Sequence, residues 1–185
     1  MNTALYTLCL FLASSLILFH VDSAANDVLT DTCQKAAASS PNVKFDYCVK
    51  ALKSDPKSRT ADVQGLGLIM LNLLESNVTS TFSYIQELLK KQWDPYTKKC
   101  LSDCSEMYSD SADNAKEAVG AYQKKRYPDV QNSVSAVSTY VDTCESQFKD
   151  KKGVTSPLTK QNGDAEQLSF IGLAIVAIVK GSSRI

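Results

Sequence analysis

The chain has 185 residues, with 20 basic and 20 acidic side chains, one histidine and 44% hydrophobic residues. A charge so evenly balanced excludes the strongly basic footprint on which nucleic-acid recognition rests. The length is that of one domain with a single core.

Residues 1–25 read as a secretory signal peptide, with the apolar run "LYTLCLFLASSLILF" followed by the small residues of a cleavage site. Cleavage after Ala25 or after Ser23 fits. No Lys or Arg precedes the apolar run, and an N-terminal membrane anchor is the alternative, though the run is short for a bilayer span of about 20 residues. The secreted chain would then be residues 26–185, free of the membrane. The single histidine, His20, leaves with the leader. Without imidazole there is no Ser-His-Asp or Cys-His catalysis and no His-containing zinc site. No pair of carboxylates stands out for acid–base work. The expectation is a chain that is not an enzyme and that carries no metal or cofactor.

The remaining segments follow a helical period. Residues 26–56 form two short helical pieces broken at "SSPN", where Pro41 cannot continue a helix. Residues 57–185 hold four long helices. The first spans 58–92, with Ser58 or Thr60 as N-cap and an apolar stripe from Val63 to Leu89. Its β-branched, polar "NVTST" (77–81) leaves room for a kink or a break, and "WDP" closes the segment. The second spans 95–125, with Leu101, Cys104, Tyr108, Ser111, Ala115 and Tyr122 on one stripe. The third spans 128–150, with Val130, Val134, Val137, Val141, Cys144 and Phe148 on its own. Residues 151–163 read as a loop. The last helix, about 164–180, ends in an apolar run suited to a bundle interior. A GPI signal is the alternative, against which the polar terminus "KGSSRI" argues. The fold class is therefore all-α: an up-down-up-down four-helix bundle preceded by a helical hairpin. The clusters "KKR" (124–126) and "KDKK" (149–152) read as solvated helix ends.

Five cysteines remain after the leader is removed: Cys33, Cys48, Cys100, Cys104 and Cys144. In a secreted chain they are expected to be oxidised, and an odd number leaves one over. Cys33 and Cys48 flank the hairpin break, and a bridge there would be worth about 3 kcal/mol in the chain-entropy model. Cys100 and Cys104 lie one helical turn apart, but no second close pair completes a zinc site. Antiparallel neighbours meet symmetrically about their turn. Cys104 and Cys144 are centred on position 124, and Cys100 and Cys144 on position 122. The register differs by about 3 Å, which favours Cys104 with Cys144 and leaves pairing through Cys100 as the alternative. Cys100 is then unpaired, or links two chains into a dimer. The sequence "NVT" makes Asn77 a glycosylation acceptor.

Four stretches, "DTCQKAAASSPNVKFDYCVKAL", "DPKSRTADVQGLGLIML", "LSDCSEMYSDSADNAKEAV" and "VSAVSTYVDTCESQFKD", resemble the plant invertase and pectin methylesterase inhibitor family. The resemblance covers nearly all of residues 26–185 and is nearest to its invertase-inhibitor and pollen-allergen-like members. It implies a four-helix bundle with an N-terminal hairpin and bridges Cys33–Cys48 and Cys104–Cys144. It also implies a secreted, apoplastic or vacuolar inhibitor of a carbohydrate-active enzyme: acid invertase, or pectin methylesterase as the alternative. Many invertase inhibitors carry a Pro-Lys-Phe triplet near the start of the third bundle helix, and it enters the target's cleft. Here Pro128 matches, but Asp129 and Val130 replace Lys and Phe. The candidate target-binding residues are Tyr127, Pro128, Asp129 and Val130. A different class of function is a binding module for an apolar ligand held between Leu66, Met70, Leu73 and Ile171, Ile175, Ile178.

Overall fold

The computed structural model describes residues 28–182, so the expected leader, with Cys9 and His20, lies outside the described residues. Helix α1 covers 28–39 and α2 runs Phe45–Lys53. A 3-10 turn at Pro56–Arg59 leads into α3 (Val63–Leu89). Helices α4 (Pro95–Gln123), α5 (Tyr127–Lys149) and α6 (Thr159–Ser182) follow. No strand occurs among the described residues.

Helix α3 packs on α4 and α6, and α5 packs on the same two. Sequential neighbours therefore run antiparallel and close a ring of four around one core. The predicted stripes supply it. Leu66, Met70, Leu74, Val78 and Ile85 of α3 face Leu101, Tyr108 and Ala118 of α4, Val134, Val137 and Phe148 of α5, and Ile171 and Ile175 of α6; all are at most 1% exposed. Helix α6 is long and apolar enough to span a bilayer, but most of its apolar residues are buried in the bundle.

Three local expectations are corrected. Neither Ser58 nor Thr60 caps α3. Asp55 and Pro56 instead start the 3-10 turn, with the Asp55 carboxylate accepting from the Lys57 amide at 2.8 Å, and Ser58 is buried. Asp62 then caps α3, accepting from the Gly65 amide at 2.7 Å. Aspartate is as good an N-cap as serine, and proline is preset for a first turn. Nor does "NVTST" break α3, which runs through it as one helix. The Ser80 and Ser83 hydroxyls donate to the carbonyls of Asn77 (2.9 Å) and Thr79 (3.2 Å), while Val78 and Thr81 are buried. Finally, the loop after α5 ends at Leu158 rather than at 163, and α6 starts at Thr159. Gly163 is helical, in a place where a side chain would meet open space. Just before it, Asn162 ties three helices together. Tyr108 Oη donates to Asn162 Oδ1 (2.7 Å), and Asn162 Nδ2 donates to Glu145 Oε2 (2.7 Å). Burial, with Glu145 and Asp164 nearby, pushes the Tyr108 phenol well above its ordinary value.

Two disulfides close the frame. Cys33–Cys48 joins α1 to α2 with Cα atoms 5.7 Å apart, and Cys104–Cys144 joins α4 to α5 at 5.1 Å. Cys100 is free and only 3% exposed. Burial pushes its thiol up, away from the reactive thiolate. Native residues 26–185 should therefore resist alkylation, and the same chain denatured without reductant should take up one equivalent. Fast labelling of the native protein, read by mass spectrometry, would contradict the buried placement.

The hairpin docks where α3 meets α6. Gln167 grips it at two points: its Oε1 accepts from the Lys44 amide (3.1 Å) and its Nε2 donates to the Asn42 carbonyl (2.9 Å). Tyr47 Oη donates to Asp164 Oδ1 (3.1 Å). Burial first, then the Asp164 charge, raises the Tyr47 phenol. Cutting both bonds with Gln167→Ala should cost about 2 kcal/mol. Hydrogen exchange should speed up in 28–53 while the ring of four stays protected. Uniform acceleration throughout would show that the hairpin is not a separate unit.

Candidate functional site: the α4–α5 turn

The turn is built by the backbone. Helix α4 ends with Lys125 left-handed (φ 57°). The Arg126 amide donates to Ala121 O and the Lys125 amide to Tyr122 O, both at 2.9 Å. These two bonds make a Schellman closure, which usually places glycine at the left-handed position. Lys125 there carries the cost of a Cβ in the left-handed region. Lys125→Gly should therefore raise stability by about 1 kcal/mol, measured by urea unfolding. A loss of stability would mean that the lysine side chain makes up for its strained backbone.

Pro128 then lies in the first turn of α5, where its missing amide hydrogen goes unmissed. The ring of Tyr127 meets that of Tyr122 edge-on, with centroids 5.8 Å apart. Tyr122 Oη donates to the Gln64 carbonyl at 2.9 Å, bolting the end of α4 to the start of α3. Burial is the main cause of a raised Tyr122 phenol, with Tyr127 and Asp62 adding to it. Arg126 Nη1 reaches Asp129 Oδ2 at 2.9 Å.

The four candidate residues separate into two layers. Tyr127 is 8% exposed and Val130 is 0%, so both belong to the core. Pro128 is exposed and Asp129 partly so. Of the supporting parts, Tyr122 lies on the α4 stripe and Asp129 is a candidate through the resemblance, but no sequence signal marks the left-handed Lys125 or the pairing of Arg126 with Asp129. The apolar stripe imagined as a ligand cavity is filled. Leu66, Met70, Ile171 and Ile175 are all fully buried in one core, and a Cβ at Gly172 would already touch Leu71 Cδ2 at 3.6 Å. Asn77 is half-buried in α3, and its Oδ1 is buried without a hydrogen-bond partner.

The model of the family described as "Plant invertase/pectin methylesterase inhibitor" matches residues 27–175. The chain belongs to this family. Among its relatives, the "Putative invertase inhibitor" of Platanus acerifolia is 41% identical over 174 residues, covering 94% of this chain and 97% of that one. "Cell wall / vacuolar inhibitor of fructosidase 2" of Arabidopsis thaliana is 32% identical, covering 88% and 87%. A crystal structure of a pectin methylesterase inhibitor from Arabidopsis shares the fold, with TM-score 0.67 over 79% of this chain and 93% of that one at 23% identity.

Proposed function

We propose that the chain is a secreted inhibitor that blocks the substrate cleft of an acid invertase by stoichiometric binding, without catalysing a reaction itself. The reading rests on 41% identity over nearly the whole length to a protein named as an invertase inhibitor. The α4–α5 turn is the part offered to the enzyme. Pro128 and Asp129 make contact, while Tyr127 and Val130 hold them from below. A preformed turn lowers the ordering cost of association, and one end of a bundle supplies the roughly 800 Å² per partner of a standard interface. Asp129 does not present a bare charge to the carboxylates of a glycosidase, because Arg126 pairs with it.

Pectin methylesterase is the second reading. It is favoured by Asp129 and Val130, which stand where Lys and Phe occur in many invertase inhibitors. Residues 26–185 should inhibit one of the two enzymes at micromolar concentration in paired titrations. Full activity of both enzymes would end the proposal. Secretion to the cell wall or vacuole, and a glycan on Asn77, belong to the same reading. A mass shift on deglycosylation tests the glycan. A Cys100-linked dimer is not part of it, since the thiol is buried.

A further inference from the structure

The hairpin does not seal against the bundle along its whole length. A groove of about 330 Å³ stays open between α2 and the middle of α3, at the small end of the range for ligand sites. Tyr47 and Ser54 of α2, Leu73, Ser76 and Ser80 of α3, and Leu168 of α6 line it, and no charged side chain does. Leu73, Leu168 and the Tyr47 ring give it apolar walls. Ser54 and Ser80 already donate to the carbonyls of Ala51 and Asn77, which leaves their own oxygens as acceptors. Such a lining suits a neutral ring with an apolar face and hydroxyls round its edge, which is a sugar rather than an ion.

Asn77 borders the same groove, about half-way along α3. Helical side chains lean toward the N-terminus, so its amide leans toward Leu73. Its Oδ1 is buried without a partner, a state that calls for a donor. Its Nδ2 has no hydrogen-bond partner among the described residues and is not buried with it. Nδ2 is the atom that takes the sugar when "NVT" serves as an acceptor.

We infer that the groove seats the first N-acetylglucosamine of a glycan on Asn77, and that this sugar fastens the hairpin to the bundle. This role presupposes the Asn77 glycan of the proposed function and adds where its first ring lies and what it holds. The covalent tether selects the occupant, because it keeps the ring at millimolar effective concentration beside the groove. The ring meets α2 on one side and α3 on the other, next to the Gln167 grip, and offers the donor that Asn77 Oδ1 lacks. The folded helix cannot acquire the sugar. The acceptor sequence couples Asn77 to the Thr79 hydroxyl, and residues two apart on a helix point about 200° away from each other. Transfer therefore precedes α3. Asn77 Nδ2 attacks the anomeric carbon of a lipid pyrophosphate-linked oligosaccharide. A C–N bond forms, the C–O bond to the pyrophosphate breaks, the pyrophosphate leaves with the electron pair, and the amide gives up one proton.

The full chain, secreted from a eukaryotic cell, can be compared in three forms. One keeps its glycan, one is trimmed by an endoglycosidase to a single N-acetylglucosamine, and one is Thr79→Ala, which loses the acceptor sequence but keeps Asn77 and the groove. The trimmed form should show nuclear Overhauser contacts from the acetyl methyl to the methyls of Leu73 and Leu168. Amides in 28–53 should exchange equally slowly in the first two forms and about fivefold faster in Thr79→Ala, as expected on losing a weak tethered ligand. An oligosaccharyltransferase with a lipid-linked donor should modify the unfolded chain and not the folded one. No contact to the groove, protection lost on trimming, equal exchange in all three forms, or equal transfer to the folded chain would each overturn the seat and leave the glycan standing. A mass unchanged by deglycosylation would overturn the glycan and its seat together, and leave inhibition to the paired titrations.

Discussion

Gly67→Ala is expected to lower the melting temperature by about 10 °C, equivalent to roughly 3 kcal/mol for a chain of this size. A Cβ there would sit 2.2 Å from Tyr122 Oη and 2.8 Å from Tyr122 Cζ. The ring has little room to retreat, because Tyr122 is 2% exposed, meets Tyr127 edge-on and donates to Gln64. Either the phenol leaves its carbonyl or α3 moves away from α4. Tyr122→Phe removes the closest atom. Combined with Gly67→Ala, it should cost less than the sum of the two single changes, because both act on one contact. Additive losses in urea unfolding would show that α3 absorbs the methyl without involving Tyr122.

Replacing Cys104 and Cys144 together by Ala should cost about 4 kcal/mol, against about 3 kcal/mol for the Cys33 and Cys48 pair, since the closed loop is longer. The two bridges span 40 and 15 residues. The two losses should also differ in kind. Cys104–Cys144 staples the two helices whose turn is proposed to meet the target, so its removal should weaken inhibition as well as stability. Cys33–Cys48 lies in the hairpin, and its removal should leave the inhibition constant within about twofold, as expected of a distant site. Equal effects of both pairs on inhibition would mean that the target touches the hairpin.

The long helices were legible because each carries an apolar stripe at helical spacing, and the burial of Leu66, Met70, Tyr108 and Val137 follows that stripe directly. The all-helical class and the hairpin break near Pro41 came from the same periods and breakers. What stayed hidden depended on partners far away in the chain. The polar "TKQNG" looks like a loop until Asn162 is seen bonded to Tyr108 and Glu145. The polar run at 77–81 looks like a weak point until the Ser80 hydroxyl is seen donating along its own helix and Val78 and Thr81 are seen buried. The left-handed residue is Lys125 and not a glycine, so the Schellman turn carried no flag. At the candidate site, the family resemblance singled out four residues at the turn, but only packing separates the surface pair Pro128 and Asp129 from the buried pair Tyr127 and Val130.

The placement of α6 has a consequence for biogenesis. The first five helices all precede it in the chain, and the Cys104–Cys144 bridge joins neighbours that leave the ribosome one after the other. That cross-link needs no residue of α6. Until it arrives, Leu66, Met70 and Leu71 lack the Ile171, Gly172 and Ile175 wall that covers them. Without α6 the other helices form a covalently fastened but open trough, and the docking of α6 is the step that closes it.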